Sequence, residues 1–158
     1  MDGNKALIEK FYTAFQQKDV KAMQNCYAEN AVFNDPVFHN LNTQQVRAMW
    51  AMLIKSGKDM RIEINNIAGS SSGGTAQWTA YYTFSATGNK VVNRVKASFV
   101  IENGKIVKHT DRFSFYKWAR QSLGLTGILL GWTSFLRKKI RSSAKNKLES
   151  YTASERTG

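Results

Sequence analysis

The chain holds 158 residues, of which 42% are hydrophobic and 12% aromatic, and 23 Lys and Arg against 11 Asp and Glu give it a net charge of +12. That length supports one domain with a real core and excludes two comfortable ones, while the apolar and aromatic share excludes a disordered chain. The single cysteine, Cys26, excludes an internal disulfide and fits a reducing compartment, so with no secretory signal at the start a cytoplasmic protein is expected.

Leu7, Ile8, Phe11, Tyr12 and Phe15 fall on one side of a helix and predict an amphipathic helix over about 4–17, with Asn4 as its N-cap. Asp19 caps a short second helix that turns Val20, Met23 and Tyr27 inward and carries Cys26 as a small buried group. AVFND (31–35) alternates as a short strand stopped by Pro36, the only proline. Asn42 and Gln45 have capping-box spacing, and the helix they open buries Val46, Met49, Trp50 and Leu53 before Gly57 ends it.

From residue 60 the period changes to two. Strands are predicted at about 60–68, 75–87, 90–102 and 105–116, joined by SSSGG, TGN and ENGK turns, with Asn103-Gly104 a strong hairpin signal. Long strands and short turns predict an antiparallel, curved sheet. On the last strand His109 and Asp111 lie two apart and are expected to share a face with Val107, Phe113 and Phe115. Ionisable groups on an apolar face are costly to desolvate unless paired, which marks them as candidates for chemistry.

Beyond Tyr116 the pattern is helical again. KWARQSLG ends at Gly124, and a final helix is predicted over about 131–149 with Trp132, Leu136, Ile140 and Ala144 on one side. Arg137, Lys138, Arg141 and Lys145 cover much of the other, and the last residues, TASERTG, look frayed. Residues 112–158 carry +8 of the net charge. Such a tail permits contact with nucleic acid or anionic membrane, but a solvated helix packed by its apolar stripe is favoured. The longest apolar stretch, 123–136, is short for a bilayer span and holds three glycines.

The order of helices and strands, with FYTAFQQKDVKAMQNCYAENAVFNDPVF (11–38) and KIVKHTDRFSFY (105–116), resembles the nuclear transport factor 2-like superfamily. Within it the chain is similar to the SnoaL-like and ketosteroid-isomerase-like branch. The resemblance covers about residues 4–116 and implies an α+β cone: a curved antiparallel sheet wrapped around three N-terminal helices, with a pocket at the wide end. It divides the chain into a core, 1–116, and a basic helical extension, 117–158. It also implies a homodimer formed through the outer sheet face.

In ketosteroid isomerases the acid of the Asp-Pro is the general base, and Asp35 matches it. The tyrosine of their oxyanion hole falls on Phe11, with Tyr12 next door but turned about 100° round the helix, and the partner acid falls on Ala97. Losing one such donor costs roughly a hundredfold or more in rate, so steroid isomerisation is not expected, and His109 and Asp111 are the candidates to substitute. The expected ligand is a small, mostly apolar organic molecule handled by acid/base isomerisation, cyclisation or hydrolysis without a cofactor. The alternative is a noncatalytic binding or dimerisation domain of the same shape. Tyr12, Phe38, Trp50, Trp78, Tyr82, Asn93 and Phe113 are expected to line the pocket. Asp35, His39, His109 and Asp111 lack tight ligand spacing, so no metal site is expected. Read without chemistry, Asp35 bonds the backbone of the Pro36 turn, and Asp111 pairs with Arg47 or Arg94.

Overall fold

The computed structural model describes residues 2–124, 127 and 134–157. Three helices open the chain: α1 (Asp2–Gln16), α2 (Val20–Gln24) and, after the strands β1 (Tyr27–Asn34) and β2 (Leu41–Asn42), α3 (Thr43–Ser56). Four long strands follow, β3 (Arg61–Gly69), β4 (Gly73–Phe84), β5 (Asn89–Glu102) and β6 (Lys105–Arg112), and then helices α4 (Phe115–Leu123) and α5 (Ser134–Thr157). All six strands form one sheet in the order β2-β1-β6-β5-β4-β3. The architecture is α+β, a curved, unclosed sheet with helices in its concavity.

Local chemistry accounts for most boundaries. The Asp19 carboxylate accepts from Ala22 N, and Asn42 and Gln45 form the reciprocal capping box on α3. Gly57 ends α3, and Asn103 and Gly104 both adopt positive φ, the conformation a two-residue hairpin turn requires. The core joins Ile8, Phe11, Tyr12 and Phe15 of α1 and Val46, Met49 and Trp50 of α3 to the inner face of the sheet, including Trp78, Val95, Ala97 and Phe99. Burial of each large side chain of this kind stabilises the fold by about 1.5–3 kcal/mol.

Several expectations are corrected. Asn4 lies inside α1 rather than capping it, and its Nδ2 donates to Ser70 O across the molecule. Asn25 caps the end of α2, so Cys26 lies just past that helix and Tyr27 begins β1 instead of extending it. The last strand stops at Arg112, because Ser114 accepts from Lys117 N and starts α4; Phe115 is therefore helical. Val107 does not share the face of His109. The pairing with β5 shifts between Val100 and Ile101, leaving Val107 as the extra residue of a bulge that swaps the phase of alternation. Tyr151 to Thr157 are helical and not frayed. Trp132 lies outside the described residues.

The sheet is not wholly antiparallel. β1 runs parallel to β6 and sets Phe33 beside His109 and Asn34 beside Thr110. The C-terminal helices cover the end that β6 leaves open. β6 stops opposite Lys96, so the first half of β5 has no strand on that side. Gln121 of α4 takes the strand's place, accepting from Val92 N at 2.7 Å and donating to Val92 O at 3.0 Å. Leu136 and Ile140 of α5 pack in a cluster with Val37, Tyr82, Phe113 and Trp118, while Ala144 and Leu148 join the main core. No helix among the described residues is long and apolar enough to cross a membrane.

Candidate functional site

His109 sits at the centre of the core, fully buried. Phe99 lies 4.2 Å from its ring centroid, and Phe33 and Phe11 meet it edge-on at 5.0 and 5.6 Å. Both nitrogens are engaged: Nδ1 is 2.8 Å from Tyr27 Oη and Nε2 is 2.9 Å from Asp111 Oδ1. Trp50 Nε1 lies 2.8 Å from the same Tyr27 oxygen. An indole N–H can only donate, so Tyr27 accepts from Trp50 and gives its own proton to His109. A neutral imidazole then carries its proton on Nε2 and donates it to Asp111. Burial pushes the Tyr27 phenol well above its ordinary pKa, which keeps that proton in place.

Asp111 is 4% exposed. His109 holds Oδ1; among the described residues nothing bonds Oδ2. Neither Arg47 nor Arg94 pairs with it: Arg47 instead bonds Glu29 and the Gln24 and Tyr27 carbonyls. Asp111 stands directly across from Ala97. Ala97 is the position to which the ketosteroid isomerase resemblance assigns the partner acid, and Asp111 lies one strand over from it.

Two buried polar atoms in this region have no partner among the described residues, Tyr12 Oη and Trp78 Nε1. Their rings lie 5.9 Å apart. Burial, and then the charge of Asp111, raise the Tyr12 phenol well above its usual range, so it remains a donor. Buried polar atoms are nearly always bonded, so these two donors are exceptions among the described residues. Asn93 stands opposite Ala80 on the same inner face, and no described residue bonds its amide.

Asp35 does what its place before Pro36 allows: Oδ1 accepts from Val37 N at 2.7 Å and Phe38 N at 2.6 Å. Oδ2 has no partner among the described residues. Burial first, and the Asp111 charge second among the raising influences, push the carboxyl up to about 7, against the two N–H bonds and Arg141. Tyr82 feels the Asp35 charge and accepts from Trp118 Nε1 at 2.7 Å.

The remaining expected lining residues divide. Phe113, like Val37 and Tyr82, packs against the cluster of Val91, Phe115, Trp118 and Leu136. Trp50 belongs to the core beneath His109. Phe38 faces a separate groove of about 710 Å³ under α5. Among the described residues no cluster of three His, Cys, Asp or Glu could hold a metal ion. Two participants were missed. Tyr27 had a usable signal, since a buried phenol and a buried indole each need a polar partner. Arg141 had none, since it is 105 positions from the Pro36 carbonyl it meets.

The model of the SnoaL-like domain matches residues 8–109, and the chain belongs to this family of the NTF2-like superfamily. Among solved structures it is similar to an NTF2-like protein of unknown function from Burkholderia pseudomallei (TM-score 0.68, 18% identity, 77% of this chain and 98% of that one). It is also similar to IdmH, a candidate polyketide cyclase from Streptomyces antibioticus (0.65, 18%, 77% and 99%). A third is an LEH-like epoxide hydrolase of M. tuberculosis (0.62, 15%, 86% and 96%). At these identities the likeness establishes the fold alone. No curated protein matches the chain.

Proposed function

We propose that this SnoaL-like domain binds a small, mostly apolar molecule bearing a carbonyl or enol oxygen and moves a proton on it without a cofactor. The observation that carries the reading is that Tyr12 Oη and Trp78 Nε1 are buried without a partner among the described residues, with the charge of Asp111 reaching the Tyr12 phenol.

In this reading the ligand oxygen accepts from Tyr12 and Trp78. Asp111 Oδ2 takes a proton from the adjacent carbon, and the electron pair of that C–H bond moves onto the oxygen. The two donors stabilise the resulting enolate. Asp35, whose carboxyl is held near neutral pH, returns a proton to another carbon or to a leaving oxygen, which suits isomerisation, ring closure or ring opening. His109 is a positioning residue: its covered ring touches no ligand, and its Nε2–H fixes the rotamer of Asp111.

2-Naphthol, a flat mimic of an enol, tests the site by quenching of tryptophan fluorescence. Saturable binding weakened roughly tenfold by Tyr12→Phe, about 1.4 kcal/mol, supports the reading. Solvent deuterium entering the α-carbon of 1-tetralone faster than in buffer alone, and lost in Asp111→Asn, supports the chemistry. Neither binding nor exchange would leave the noncatalytic alternative, which the close packing around His109 favours.

A homodimer through the outer sheet face belongs to the same proposal. Val32 and Val100, both exposed on that face, flank Lys108 on the middle strand. Sedimentation giving only a monomer would remove it.

A further inference from the structure

The groove of about 710 Å³ between α5 and residues 37–45 is a second hollow, apart from the interior. None of Tyr12, Trp78, Asp35 and Asp111 lines it. Val37 and Phe38 divide it from Asp35, since their N–H groups hold the Asp35 carboxylate. Phe38, Leu41 and Leu148, all buried, give the groove an apolar floor.

One side of α5 forms a wall of this groove, with Arg141, Lys145, Glu149 and Arg156 among its residues. Glu149 is the only acid in the lining, and it stands 4.0 Å from Lys145. Among the described residues Arg141 and Arg156 have no carboxylate within ion-pair distance. Arg141 is half-buried; its Nε donates to Pro36 O at 3.0 Å, and no described residue bonds its two terminal amino groups. A cation partly withdrawn from water without a counter-ion is costly, and an anion beside it offsets that cost. Arg141 and Arg156 are separated by about 22 Å of helix, at 1.5 Å per residue. The facing wall includes Asn40 and Gln44, whose side-chain amides no described residue bonds. Such an amide both donates and accepts, as every peptide unit does.

We propose that this groove binds a short acidic peptide in extended conformation. The distance between the two arginines admits about six residues at ~3.3 Å each. Carboxylates of the peptide pair with Arg141 and Lys145 at one end and with Arg156 at the other, while its backbone meets the amides of Asn40 and Gln44. The Arg141 guanidinium, anchored through Nε, has its terminal amino groups left to take a carboxylate in bidentate fashion. A small anion needs one end of such a groove; cations at both ends, with amides on the facing wall, match a chain. The proposal is independent of the acid/base reading above and uses nothing in the interior.

Fluorescein-labelled hexaglutamate and hexaserine, titrated with the full chain and read by fluorescence anisotropy, test it. Hexaglutamate is expected to bind saturably at low salt, more weakly as salt is added, and hexaserine not at all. Arg141→Gln and Arg156→Gln are each expected to weaken hexaglutamate roughly tenfold. Arg156 is exposed near the end of α5, so its variant reads the site even where Arg141→Gln unsettles the Pro36 turn. Lys147→Gln removes the same charge from α5 outside the groove and is expected to change affinity by less than about twofold. Absence of saturable hexaglutamate binding overturns the proposal, as does binding that survives both arginine variants. Equal weakening by Lys147→Gln would show a diffuse attraction to a basic protein and overturns it too. Weakening by Arg141→Gln with none by Arg156→Gln would show a small-anion site at one end, and no peptide groove.

Discussion

His109 and Asp111 share a 2.9 Å bond on one face of β6, and that bond is the last link of a chain running Trp50, Tyr27, His109, Asp111 through the core. Each donor in the chain satisfies the next acceptor, so three side chains fix a single oxygen of a fourth, Asp111 Oδ1. The other oxygen is left available.

Tyr27→Phe leaves both Trp50 Nε1 and His109 Nδ1 without their partner inside the core. Urea unfolding is expected to register a loss of about 2 kcal/mol. A change below half that size would mean the two nitrogens find other partners.

Tyr12→Phe is expected to behave oppositely in stability. The hydroxyl removed has no partner among the described residues, so the variant unfolds at the same or higher denaturant, by up to about 1 kcal/mol, while naphthol affinity falls. A variant less stable by more than that, with affinity intact, would make Tyr12 an ordinary core residue.

The Asp35 carboxyl titrates near 7 in the folded chain and near 3.8 when unfolded. The folded state then binds more protons between those values, so stability declines as pH rises from about 4 to 7 and is level above. The full cost has a ceiling of about 4 kcal/mol, at 1.36 kcal/mol per unit. Asp35→Asn keeps an acceptor for Val37 and Phe38 and flattens the decline. Parallel curves of stability against pH for the two proteins would show that Asp35 is unperturbed.

Leu148 on α5 is 3% exposed and joins the main core. Leu148→Ala is expected to cost about 2–3 kcal/mol in a single unfolding transition. A loss under 0.5 kcal/mol, roughly the effect of an ordinary surface substitution, would mean the last helix does not pack on the core.

Local pattern was enough to read the element order, the caps at Asp19, Asn42 and Gly57, the Asn103-Gly104 turn and the placing of His109 and Asp111 on one strand face. These depend on interactions within a few residues, and periodicity and turn chemistry report them directly. Where a local rule had two outcomes, tertiary structure chose. Asn4 could cap α1 or bond Ser70, and the sheet offered Ser70. Val107 could follow the alternation or bulge, and pairing with β5 made it bulge. The Tyr27–His109 bond, the stand of Asp111 opposite Ala97 and the reach of Arg141 to Pro36 were decided only by folding. They join residues from 14 to 105 positions apart, and cross-strand register and helix docking are settled by packing of the whole core, which no short window of sequence contains.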